Sequence, residues 1–166
     1  MNMKFYYYFF ILFPSFIIAN NVAELYGDRI ELLGIPFKDP LVLCQIFIAI
    51  FLLIAFLQSS LDKIINRQDN LNFLREHFSQ TLFHNFTPFL LTIITLLEII
   101  GSVTLGYGIY FAFAQKTTLW IFYGFVILAV TLMCLFLGQR ISKDYVGASD
   151  LVPYFTLIML GIMSMY

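Results

Sequence analysis

Residues 88–114 read PFLLTIITLLEIIGSVTLGYGIYFAFA, and the fold turns on this stretch. A bilayer core about 30 Å thick needs roughly 20 helical residues at 1.5 Å each. The run exceeds that length and holds one charged side chain, Glu98. Three further apolar runs flank it: Leu41–Leu57, Leu119–Leu137 and Leu151–Tyr166. Pro88–Ala114 and Leu119–Leu137 span directly. The first run extends through Gln58–Lys63, because polar side chains at a helix end reach back to the interface. The last is short and is expected to start near Asp150, with Asp150 as N-cap and Pro153 in the tolerated first turn. No strand alternation competes, and open strands cannot sit in lipid. The expected fold is an all-α polytopic membrane four-helix bundle.

Composition agrees. The chain is 61% hydrophobic and only 11% charged, against about 45–50% apolar and about 25% charged in soluble domains. A water-soluble surface cannot be built from that supply, whereas a lipid-facing one can. The net charge of −1 supplies no basic field, so nucleic-acid binding is set aside.

The 166 residues fit one membrane domain, 41–166, preceded by a hydrophobic segment and polar connector at 1–40. Phe5–Ala19 is a fifth apolar run with Lys4 before it and Pro14 inside it. It reads as an additional N-terminal helix, retained as an anchor or short span. A cleaved signal and an interfacial helix remain alternatives. Between the first two core spans, Leu71, Leu74, Phe78 and Leu82 recur at helical spacing among polar residues. Asn66–Thr87 therefore reads as a helix lying in the membrane interface, or else as a loop packed on the bundle.

If Lys4 is cytoplasmic and all five segments span, Lys4, Lys63, Arg67, Arg75, Arg140 and Lys143 lie inside. Arg29, Lys38 and Lys116 lie outside, and the excess satisfies the positive-inside rule. Cys44 and Cys134 then sit near opposite surfaces. A disulfide between them is not expected in this topology, because bonded cysteines need Cα atoms within about 7 Å, and both read as small packing residues. The chain has no CxxC, Cys-His cluster or HExxH, so no metal site is expected. His77 and His84 read as interfacial, solvent-facing side chains.

Glu98 carries the most information. A charged acid near a helix centre is unfavourable by at least about 2.5 kcal/mol. It must face the interior, be protonated, or pair with a cation. It is either a proton-handling or ligand-binding acid, and so the candidate catalytic residue, or a structural hydrogen bond locking helices together. Gly101, Gly106 and Gly108 follow it and predict close helix packing. Two polar clusters share one membrane face in this topology. One is Gln58-Ser59-Ser60-Leu61-Asp62-Lys63, where Gln58 and Asp62 share a helix face, as do Ser59 and Lys63. The other is Gly138 to Ala148, with Gln139, Arg140, Lys143 and Asp144, in which Arg140 and Asp144 suit a local ion pair. Gln58, Asp62, Lys63, Gln139, Arg140, Lys143 and Asp144 are candidate binding residues. An Arg or Lys among them is expected to neutralise Glu98 or bind an anionic group. The alternative is ordinary charge snorkelling at helix ends.

With these segments in place, the chain resembles the DoxX family of small bacterial membrane proteins. The resemblance rests on Gln58–Lys63, on Leu97-Glu98-Ile99-Ile100-Gly101 through Gly106-Tyr107-Gly108, and on Gly138-Gln139-Arg140 with Lys143–Ala148. It covers roughly Leu41 to the C-terminus. It implies a four-helix bundle in the bacterial inner membrane, and a role as membrane subunit or accessory factor of a quinone-linked redox complex. About forty extra N-terminal residues depart from the pattern. Architecture transfers well and reaction poorly.

Three functions stay open. The first is a subunit with a protein partner. The second is a quinone- or lipid-binding membrane oxidoreductase using Glu98. The third is a small transporter. Membrane lipids are expected neighbours in each. No cofactor motif is evident, and quinone is the carrier the resemblance implies.

Overall fold

A computed structural model describes residues 30–32, 35–37, 40–81, 83–115 and 117–165. The segment Phe5–Ala19 lies outside the described residues. The chain divides into two units, Met1–Leu43 and Cys44–Tyr166. In the first, β1 (Ile30–Leu32) pairs antiparallel with β2 (Ile35–Phe37), Ile30 opposite Phe37. This small hairpin falls inside the stretch read as a polar connector; the remaining elements are all helical, as expected.

The helices are α1 (Pro40–Ile65), α2 (Arg67–His77), α3 (Thr87–Ala114), α4 (Leu119–Ile141) and α5 (Tyr145–Met163). A short 3-10 turn, His84–Phe86, precedes α3. Four helices are long and apolar enough to cross a membrane, namely α1, α3 with its leading turn, α4 and α5. The chain is a multi-pass membrane protein.

Along α3 the buried positions are Thr87, Leu91, Thr95, Glu98, Gly101, Ser102, Leu105, Gly108 and Ala112. Their steps of three and four trace one inner stripe. Ile93, Leu96, Ile100, Val103 and Tyr107 point outward and stay exposed, which is a lipid-facing surface. Glycines then set how closely helices approach. A Cβ on Gly108 would lie 2.6 Å from the Ile121 backbone nitrogen, and one on Gly124 would lie 2.5 Å from Leu105 Cδ2. The α3 and α4 backbones nearly touch there, as small residues allow in membranes. Gly106 is different. Its Cβ would meet only Leu53, at 3.9 Å, so it takes no part in the close approach expected of it. An aromatic cluster sits at this end, with Tyr107 and Trp120 ring centroids 5.1 Å apart, as befits a membrane–water interface.

At the opposite end the structure corrects the boundaries. The helix expected over Asn66–Thr87 is shorter than that range. It stops at His77, and Phe78 turns inward and is buried. α5 starts well before Asp150. Lys143 takes a left-handed conformation (φ 63°), which reverses the chain directly after α4. Asp144 then becomes the N-cap, its side chain accepting from the Gly147 N–H at 2.9 Å. Asp150 is an exposed residue within the helix, and Pro153 lies in the interior rather than the first turn. With α4 ending at Ile141, Arg140 and Asp144 share no helix and form no ion pair. Arg140 instead lies 4.7 Å from the Tyr145 ring centroid.

This reassignment is testable. Asp144→Ala is expected to lower stability by about 1 kcal/mol through the lost cap, read as a reduced thermal midpoint by circular dichroism in detergent. Asp150→Ala should leave the midpoint unchanged, and the reverse pattern would restore Asp150 as the cap.

Candidate functional site

Helical periodicity on α1 and α3 builds the site. Ser59 and Lys63 are one turn apart on α1 and face α3. Glu98 occupies the inner stripe of α3 and is 1% exposed. Lys63 Nζ lies 3.0 Å from both carboxylate oxygens of Glu98. Ser59 Oγ donates to the same oxygens at 3.3 and 3.4 Å. Lys63 also donates to the Ser59 hydroxyl and, at 3.5 Å, to the Ser59 carbonyl. Each proton of the ammonium thus has an acceptor. Such charge-assisted bonds are the strong kind, and a buried charge requires them.

The ion pair forms part of the wall of a cavity of about 290 Å3. Ala55, Phe56, Leu132, Leu135, Leu151 and Tyr154 complete that wall. The space draws on α1, α3, α4 and α5, and is apolar except at Ser59, Lys63, Glu98 and the Tyr154 side chain. One turn beyond Glu98, the fully buried Ser102 Oγ has no hydrogen-bond partner among the described residues. An unpaired buried hydroxyl is destabilising. Ser102→Ala is expected to raise stability by about 1 kcal/mol, measured by chemical or thermal unfolding in detergent. A loss of stability would show that a bound water satisfies the hydroxyl.

A second polar cluster joins α2 to the α4–α5 turn. His77 Nε2 lies 2.9 Å from Gln139 Oε1 and 2.7 Å from Ser142 Oγ, with Asp144 Oδ2 at 3.8 Å. The Phe73 ring stacks on the imidazole. His77 is therefore half-buried and engaged, which corrects its reading as solvent-facing; His84 is exposed as expected. Among the described residues, no group of three or more His, Cys, Asp or Glu gathers to hold a metal ion.

The candidate residues sort into three places. Glu98 and Lys63 meet in the first cluster, and Gln139 and Asp144 meet in the second. Gln58, Asp62, Arg140 and Lys143 join neither, and all four are exposed. Asp62 instead accepts from Asn66 at 2.7 Å and Asn70 at 3.2 Å, stitching the α1–α2 junction. Lys63 turns inward, while Arg140 and Lys143 are the ordinary exposed charges of a helix end. Cys44 and Cys134 are free thiols, and both are exposed. They sit outside the core, a correction to their reading as packing residues.

The sequence reading passed over Ser59 as a site residue, although its four-residue spacing from Lys63 was the available signal. It also missed His77 with Ser142, and Tyr154. Gln45 was missed too; it is buried and donates to the Ser164 carbonyl at 2.8 Å, linking α1 to α5. Those contacts join distant segments, and nothing local announces them.

Comparison of the chain with protein-family models, with curated proteins and with solved structures finds no match in any of the three.

Proposed function

We propose that this chain is a four-helix membrane protein of the DoxX type in a bacterial inner membrane. In this reading it serves as subunit or accessory factor of a quinone-linked redox complex. Lys63, Ser59 and Glu98 hold the polar head of the quinone, and membrane lipids surround the rest. One observation carries the reading: a carboxylate buried in mid-span, paired with an inward-turned lysine, forms part of the wall of a cavity whose other side is apolar. A purely structural ion pair has no need of adjoining space. Well-packed apolar residues replace buried pairs at no loss, and often at a gain, in stability. Retaining the pair beside a cavity favours recognition over scaffolding. The donors fit the proposed carrier if its oxygen shares them with Glu98: Lys63 and Ser59 carry the N–H and O–H groups of this wall, and both donate to the carboxylate in this structure.

A membrane oxidoreductase in which Glu98 itself exchanges a proton is the second reading. It is favoured by the carboxylate lying in the cavity wall rather than behind it. The transporter reading is weaker. Beyond Glu98 and Ser102 the interior is filled by Leu52, Leu105, Ile121, Phe125, Leu128 and Ile158, each fully buried. That layer offers an ion or polar solute no hydrogen-bonding path.

The test replaces the pair together, Lys63→Met with Glu98→Leu, and purifies the protein in mild detergent. The expected result is a folded protein that keeps its co-purifying partner and loses bound quinone. Wild-type quinone content in this variant would sink the assignment. Selective loss of turnover in Glu98→Gln, with quinone still bound, would favour the oxidoreductase.

A further inference from the structure

A second cavity, about 250 Å3, lies among α1, α2, α3 and α4. Its wall is apolar along Leu74, Phe78, Leu91 and Cys134, with His77 and Gln139 the polar groups contributed by the second cluster. Lys63 and Leu135 line this cavity and also line the one beside Glu98. The two spaces therefore adjoin at a lysine stem and a leucine, both flexible side chains. They differ in character. One holds the charged pair, a serine hydroxyl and a tyrosine, while the other is almost wholly hydrocarbon.

We infer that one ligand occupies both cavities, a compact polar head against Lys63–Glu98 and a single apolar chain running past Lys63 and Leu135 beneath α2. This rests on the reading of the Glu98 cavity as a head site, and it adds the substrate class. The site selects a chain-bearing lipophile over the same head without a chain. The stem of Lys63 supplies methylene surface to the chain while its ammonium stays with the head. Continuity with the Glu98 site identifies the occupant as the chain of that ligand rather than a separate molecule. In a membrane the free chain already lies in hydrocarbon, so the gain comes from close contact with this wall rather than from leaving water, and a chain that fills the second cavity raises affinity through that contact. A prenyl and an acyl chain present the same chemistry to this wall.

The experiment uses the full chain in lipid nanodiscs and two fully substituted quinones, duroquinone without a chain and decylubiquinone with one. Binding is measured calorimetrically, with the signal from empty nanodiscs subtracted. At equal concentration in the bilayer, decylubiquinone is expected to bind about threefold or more tightly than duroquinone through contact of its chain with that wall. Leu74→Trp, which fills the second cavity from α2, should erase that advantage and leave duroquinone affinity unchanged. Cys134 gives a readout that does not depend on this variant. In a Cys44→Ser background, decylubiquinone should slow maleimide labelling of Cys134, and duroquinone should not. Equal affinities with no protection of Cys134 would overturn the two-cavity inference and leave the head site standing. Binding of neither quinone would overturn the head site itself, and the inference with it.

Discussion

Lys63→Met is expected to destabilise the protein by about 3–5 kcal/mol, the range for a buried pair deprived of one partner. The reason is geometric. Glu98 is 1% exposed, and its carboxylate receives its hydrogen bonds from Lys63 and Ser59. Without the ammonium, only the Ser59 hydroxyl remains, at 3.3 Å. The converse change should be milder. Glu98→Gln keeps an acceptor for Lys63, and the lysine side chain, already 18% exposed, can swing toward the interface. A loss of about 1–2 kcal/mol is expected there, one neutral hydrogen-bonding group standing in for a charged one. The double replacement by Met and Leu should recover most of the single-lysine loss. Unfolding of the wild type, Lys63→Met, Glu98→Leu and the double variant in detergent completes a double-mutant cycle, with Glu98→Gln measured beside it. Equal losses from Lys63→Met and Glu98→Gln would mean that the carboxylate has another route to water.

Gly108→Ala is expected to cost about 1–2 kcal/mol net of helix propensity, while Gly106→Ala is neutral or stabilising. The two glycines are two residues apart on one helix, so intrinsic helix propensity favours alanine equally at both, by up to about 1 kcal/mol. Surroundings decide the sign. A methyl at Gly108 would lie 2.6 Å from the Ile121 nitrogen and 2.9 Å from the Trp120 carbonyl carbon. Those are backbone atoms of α4, which move only with the whole helix, and overpacking of this kind costs about 1–3 kcal/mol. At Gly106 the nearest atom is a leucine methyl at 3.9 Å, ordinary contact. Thermal midpoints of the two variants test this directly. Similar losses at both would mean that α3 and α4 do not meet face to face at Gly108.

Much of the architecture was legible because lipid imposes a local rule. Each residue of a span is sorted by whether its own face looks inward or outward, and that sorting repeats with helical period. The span lengths, the inward position of Glu98 and the shared face of Ser59 and Lys63 all follow from residues a few positions apart. Cluster membership was less legible. Gln139 and Asp144 were named, but His77, which joins them, sits 62 residues from Gln139. The Arg140–Asp144 pair failed because it assumed a helix running through Ser142, whereas Lys143 turns left-handed there.

By itself the sequence determined a helical membrane protein with one acid in the middle of an apolar span. Apolar length and helical period are local quantities, and no tertiary contact was needed to read them. Only the tertiary structure decided which cation answers that acid. Lys63 lies 35 residues from Glu98, and Arg140 was an equal contender from the sequence. The choice depends on how α1 and α4 lie against α3. Packing and glycine contacts settle that arrangement, and no single segment encodes it.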